Sequence, residues 1–251
     1  MPHRATSNLS VVKLARFCSV RAYLAAVAAL LGTVLSSTVA RAQSTDWLTI
    51  TRADLCVTSG TVDRANGNRM RVDVPEMRAI ATIATAPSAE IRFHYGGPTK
   101  KKTHLGSGQV RSQFGLKLRA QDPCNLVYVM WRIEPESELV VSVKRNPSQH
   151  TSAECHNHGY TNIKPTKSSP VPPLKAGESH TLRAEMKGPA LRVYADNKQV
   201  WEGDVGAEAR ALEGTVGIRS DNVRLDFEYL ARRPVGSAPN FSTACNKGDP
   251  D

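Results

Sequence analysis

The chain has 251 residues, 40% hydrophobic and only 6% aromatic, and carries 33 Lys and Arg against 23 Asp and Glu, a formal charge of +10. Five of the basic residues, Arg4, Lys13, Arg16, Arg21 and Arg41, fall in the first 42 positions, which hold no acid, so the remainder carries only +5. That surplus is too modest to argue nucleic-acid binding from charge, and the remaining length suits one substantial core rather than two.

Residues 1–42 read as an export signal. A basic start leads into the apolar run Ala22 to Leu35, and Ala40-Arg41-Ala42 supplies small residues around one position before Gln43. A basic region, an apolar stretch and an A-x-A site together define a cleavable secretory peptide. The rival is a membrane anchor, but the apolar run is shorter than a comfortable span. Cys18 precedes the run, so it is not placed to carry lipid at the cleavage point. The expected location is secreted or periplasmic, with no transmembrane segment after cleavage.

Strand-like runs then follow at 47–51, 55–58, 70–74, 77–83, 89–95, 113–119, 126–133 and 139–144. Turn material separates them: Asp63-Arg64-Ala65-Asn66-Gly67, Gly96-Gly97-Pro98, Gln121-Asp122-Pro123 and Glu134-Pro135-Glu136-Ser137-Glu138. Residues 163–173 are proline-rich and read as an exposed loop, since proline is excluded from a central strand. From His180 to Leu230 apolar residues alternate in four further runs, broken by Lys187-Gly188-Pro189, Asp196-Asn197-Lys198 and Ser220-Asp221-Asn222. Period two buries one face of each strand. Only 208–212 offers a short helical turn. A dozen strands without helical crossovers predict an all-β, two-sheet antiparallel sandwich, with a domain at 43–231 and a tail at 232–251.

Four cysteines follow the signal: Cys56, Cys124, Cys155 and Cys245. An even number in an exported chain points to two disulfides. Spacing favours Cys124–Cys155 and Cys56–Cys245, the second tying the tail back to the first strands. No pair has the close spacing that zinc prefers.

The strings His180-Thr181-Leu182-Arg183-Ala184, Leu191-Arg192-Val193-Tyr194-Ala195-Asp196-Asn197-Lys198, Trp201 and Gly214-Thr215-Val216-Gly217-Ile218-Arg219 resemble the concanavalin A-like lectin/glucanase jelly rolls. They are most like the laminin-G-like and 3-keto-disaccharide-hydrolase-type branches. The resemblance implies a jelly-roll sandwich whose sheet and rim loops bind sugars. It does not imply an activity, because lectins, glycosidases, lyases and passive modules share this fold.

Catalytic motifs are sparse. A glycosidase needs two carboxylates across the sugar, yet the Glu-x-Asp-x-x-Glu string of the jelly-roll glucanases is absent. Glu134, Glu136 and Glu138 read as a turn, and Asp226 and Glu228 alternate with apolar neighbours and face water. No Gly-x-Ser-x-Gly elbow occurs. His156 and His158, with His150 and Glu154 near, are read as a polar loop rather than a metal site. Asp196-Asn197 and Asp221-Asn222 serve as turn residues without calcium, so no cofactor is expected.

The outward positions of the middle strands are more informative. Taking Ile91, Phe93, Phe114, Leu116, Val127, Val129, Trp131 and Val141 as inward leaves a basic set outside. That set predicts a ligand-binding face of Arg92, His94, Lys117, Arg119, Tyr128, Arg132 and Lys144, extended by Lys100, Lys101, Lys102 and His104. Guanidinium groups pair with carboxylate or sulfate, and Tyr128 offers a ring to stack on. The expected function is non-catalytic recognition of a glycan or other polyanion. The rivals are a hydrolase or a lyase, for which His94, Tyr128 and Arg132 would be base and neutraliser, and a protein-binding envelope module.

Overall fold

A computed structural model describes residues 46–235. The expected signal peptide and Cys245 lie outside the described residues.

In chain order the elements are β1 (Trp47–Ile50), a 3-10 turn (Arg52–Asp54), β2 (Leu55–Ser59), β3 (Asp63–Arg64), β4 (Met70–Asp73), β5 (Glu76–Ala81), β6 (Ser88–Pro98), β7 (Ser112–Asp122), β8 (Asn125–Glu134) and β9 (Glu138–Lys144). A one-turn helix (Ser152–Cys155) precedes β10 (Tyr160–Asn162), β11 (Lys167–Ser168), β12 (Ser179–Lys187), β13 (Ala190–Ala195) and β14 (Lys198–Asp204). A second short helix (Gly206–Arg210) leads to β15 (Thr215–Asp221) and β16 (Val223–Arg232). The strands form two antiparallel sheets. One runs β11-β14-β13-β12-β6-β16-β4-β3, with β1 also on β16, and the other runs β10-β9-β8-β7-β15-β5-β2. The protein is the all-β two-sheet sandwich that its alternating runs predict.

Between the sheets lie the residues assigned inward. Phe93 from the first sheet meets Phe114 of the second with ring centroids 4.5 Å apart, and the Trp131 ring stands edge-on to Phe93 at 5.9 Å. All three are buried, as alternation demands of strands with one dry face. The Tyr229 hydroxyl donates to the Gly217 carbonyl at 2.8 Å and so joins β16 to β15 across the interior.

Local turn chemistry also follows the sequence. Asp196 and Asn197 hold φ of 50° and 63°, the left-handed pair that a two-residue hairpin between β13 and β14 needs. Cys124 and Cys155 are bridged, with Cα atoms 5.8 Å apart.

Three expectations change. Lys167 and Ser168, inside the presumed loop, pair with β14 at the sheet edge. Tyr160–Asn162 adds an edge strand beside β9 that no run of alternation announces. Most consequential, β6 and β7 do not share a sheet: the chain passes from one sheet to the other through residues 99–111, returns between β10 and β11, crosses again between β14 and β15, and returns once more at Asn222, between β15 and β16.

Candidate functional site

The outer face of the seven-stranded sheet holds a groove of about 220 Å³, walled by the 99–111 segment on one side and by Asn157, Tyr160 and Asn162 on another. Register explains which side chains share its floor. Residues directly opposite one another in paired strands point to the same face. One row therefore runs Arg219, Gly115, Met130, Val140 across β15, β7, β8 and β9. The next runs Gly217, Lys117, Tyr128, Ser142, Asn162, and a third runs Asp221, Gln113, Arg132, Glu138. Glycine is needed at 115, where a Cβ would fall 2.8 Å from Met130 Sδ and 2.1 Å from the Val129 carbonyl oxygen.

The cations of this face are held differently. Arg219 Nε donates to Asp221 Oδ2 at 3.0 Å, and its guanidinium lies 5.3 Å from the Tyr128 ring centroid. Asp221 is buried; Arg78 Nη2 donates to its Oδ1 at 2.6 Å and Gln113 Nε2 to its Oδ2 at 2.7 Å. Burial alone would raise the Asp221 pKa, but Arg219, Arg78 and the Gln113 amide outweigh it and bring it down to about 2. Arg132 donates to Glu138, while its Nε is buried without a hydrogen-bond partner among the described residues.

Arg111 is the exception. It is half-buried at the rim, and among the described residues its guanidinium has no hydrogen-bond or ion-pair partner. Burial, then the nearby positive charge of Arg132 and Arg219, pushes its pKa down, partly offset by Glu138 and Asp221. A partly desolvated cation whose neighbouring carboxylates are already paired with other arginines is relieved by a further anion. In the same groove, Tyr160 presents an exposed ring stacked on Tyr128 at 5.9 Å with the planes 24° apart. The groove thus offers guanidinium donors, amides and a hydroxyl around an aromatic platform, and none of its described lining residues is Asp or Glu.

The structure brings together only part of the predicted set. Tyr128 and Arg132 line the groove, and Lys117 is buried on the same face, opposite Tyr128. Lys144 is buried too: its Nζ donates to the Pro123 and His156 carbonyls, each at 3.0 Å, and sits 5.2 Å from the Tyr160 ring centroid. Its work is to support the wall. Arg119 turns away, its backbone at φ 49° in a break of the β7 register, and donates to the Arg210 and Leu212 carbonyls.

Arg92 and His94 lie on β6 in the other sheet. There Arg92 Nε donates to Glu90 at 2.6 Å, and His94 stands opposite Asp226 in register with its Nδ1 3.2 Å from Ser179 Oγ. The continuous basic field expected from the sequence is therefore divided between two faces. The trio His94, Tyr128 and Arg132 considered for a lyase is divided with it. Alternation states which side of its own strand a residue occupies, not which sheet the strand joins.

Arg111, Arg219, Tyr160 and Asn162 escaped the sequence reading. Arg219 carried a usable signal, since it alternates with Ile218, but its sheet was unknown. Arg111 ends a loop and has no periodicity. Near the histidines, Glu154 accepts from the backbone N–H groups of His150 and Thr151 at 2.8 and 2.9 Å. Among the described residues no group of three or more His, Cys, Asp or Glu is disposed to hold a metal.

No protein-family model and no curated protein matches the sequence. Among solved structures the chain is similar to the carbohydrate-binding module CBM66 from Bacillus subtilis, at 14% identity and a TM-score of 0.47, covering 75% of this chain and 96% of that one. The carbohydrate recognition domain of Emp46p is similar at 10% identity and a TM-score of 0.44, over 73% of this chain and 90% of that one. Domain 4 of AbnA, an extracellular arabinanase from Geobacillus stearothermophilus, is similar at 10% identity and a TM-score of 0.41, over 80% and 96%.

Proposed function

We propose that this protein binds a carbohydrate bearing a carboxylate or sulfate, without turning it over, in the groove on the seven-stranded sheet. The observation that carries this reading is the half-buried Arg111 guanidinium, without a partner among the described residues, in one groove with the exposed Tyr160 ring. An acidic group pairs with Arg111 in a bidentate fork, and the ring face of a sugar packs on Tyr160. Gln113, Ser142, Asn157 and Asn162 line the remaining groove and supply donors and acceptors for hydroxyls. The jelly-roll resemblance of the sequence supports a sugar rather than another anion. A lining of cations and amides, with no Asp or Glu among the described residues, suits recognition better than two-carboxylate hydrolysis.

Export belongs to the same proposal. It is supported by the basic, apolar and A-x-A succession of residues 1–42 and by the Cys124–Cys155 bridge, which suits an oxidising compartment. N-terminal sequencing of the protein recovered outside the cytoplasm is expected to begin at Gln43.

The test is a glycan array probed with protein lacking residues 1–42. Retention of uronic or sulfated glycans over their neutral counterparts, with no change in glycan size after incubation, is expected. Equal retention of neutral and acidic glycans would remove the role given to Arg111.

A further inference from the structure

The groove's one unpartnered guanidinium among the described residues stands at the end of a segment that has little structure of its own. Between Pro98 and Ser112 the internal backbone bonds include Leu105 N–H to Gln109 and Gly108 N–H to Leu105, each at 2.8 Å. What fixes the segment is a residue far away in sequence. Asn222 is fully buried at the corner where the chain leaves one sheet for the other, with φ of 56°. Its Oδ1 accepts from Thr103 N–H at 2.8 Å. Its Nδ2 donates to the Thr103 carbonyl at 2.9 Å and to the Arg111 carbonyl at 2.8 Å. Its own carbonyl accepts from Thr99 N–H at 3.1 Å, and its N–H donates to the Pro75 carbonyl at 2.7 Å.

One amide thus reads three backbone groups of the segment and ends on Arg111 itself. Only a side chain with both a donor and an acceptor completes this set, and only residues tolerant of positive φ occupy the corner. A second clasp lies at Glu134, whose carboxylate accepts from Lys102 and, at 2.6 Å, from Ser112 Oγ.

We infer that Asn222 is a positioning residue for ligand specificity: by pinning Thr103 and the Arg111 carbonyl it aims the Arg111 guanidinium into the groove, and so sets the preference for acidic over neutral glycans without touching either. This rests on the binding reading above. Arginine pairing with a planar anion depends on the direction of its fork, so a loosened backbone at 111 costs the acidic ligand and spares the neutral one.

The test uses Asn222→Gly, which keeps the left-handed corner at no steric cost and removes the amide, and Asn222→Asp, which keeps the acceptor and loses both donor bonds. The probes are an alginate hexasaccharide and its carboxyl-reduced counterpart. Either variant is expected to weaken the alginate probe about tenfold while shifting the reduced probe less than about twofold. In an Arg111→Ala background Asn222→Gly is expected to add nothing further, because the two act through one contact. Amide exchange at 103–111, measured without ligand, is expected to quicken in both variants.

Unchanged exchange in a folded Asn222→Gly protein overturns the anchor whatever the ligand is. Full additivity with Arg111→Ala reduces Asn222 to a structural residue and overturns the proposal. Quickened exchange in variants of a protein that never preferred alginate to its reduced form overturns the acidic-glycan reading instead, and the specificity role with it.

Discussion

Arg219 and Asp221 sit two residues apart on one face of β15, joined by a 3.0 Å bond from Nε to Oδ2. The carboxylate is buried and also receives Arg78 and Gln113, so Arg219 is held in place before any ligand arrives. A site of this kind binds with little reorganisation, which is where affinity for charged ligands is gained.

The Asp221 network makes stability acid-sensitive. The folded pKa of about 2 lies below the ordinary 3.8, so the stabilisation is complete above the unfolded value and is lost as pH falls through the folded one. Its size is about 2 kcal/mol. Asp221→Asn is expected to lower stability by about 3 kcal/mol at neutral pH and to flatten the dependence between pH 4 and 2. Denaturant melts across that range check it; an unaltered acid limb in the variant would assign the sensitivity elsewhere.

Arg111 and Arg92 should behave oppositely. Arg111→Ala is expected to weaken an acidic oligosaccharide by about 2 kcal/mol. Arg92→Ala, on the other sheet and already paired with Glu90, is expected to leave titrations unchanged. Calorimetry on both proteins decides; equal losses would restore the single basic field.

The Cys124–Cys155 bridge closes a loop with sequence separation 31 that ends in the one-turn helix Ser152–Cys155, just before the groove wall at Asn157 and Tyr160. Replacing both cysteines with serine is expected to cost about 4 kcal/mol in the chain-entropy model. Thermal melts of the variant against the parent measure it, and a shift near zero would mean the loop is ordered without the bridge.

Arg119 is expected to matter for folding alone. Arg119→Ala strands the Arg210 and Leu212 carbonyls and should cost about 1 to 3 kcal/mol, with glycan affinity unchanged. A variant that stays stable and binds poorly would return Arg119 to the site.

His180 gives a second, opposite pH limb. Burial lowers its pKa, but Asp196, 2.7 Å from Nδ1, and Glu178 outweigh that and raise it. The stabilisation is therefore complete below the ordinary histidine value and fades as pH rises through the raised one. His180→Gln should remove a stability decline on the alkaline side of pH 6.5; a decline that persists would locate it in another group.

Much of this molecule is legible in its local sequence pattern. Alternation places Phe93, Phe114 and Trp131 inward, and they meet in the core. Asp196-Asn197 reads as a tight turn and is one. Such features depend on neighbours in the chain, because period two and left-handed tolerance are properties of a few successive residues. The binding face was not of this kind. Arg92 and Lys117 both point outward on good strands, yet the crossing at 99–111 sends them to different sheets, and Arg111 lines the same groove as Tyr128 with its carbonyl held by Asn222, 111 residues further on. Alternation along each run settles which side of a strand is dry; only the pairing of distant strands settles which wet sides lie together, because strand partnership is set by contacts between residues far apart in the chain.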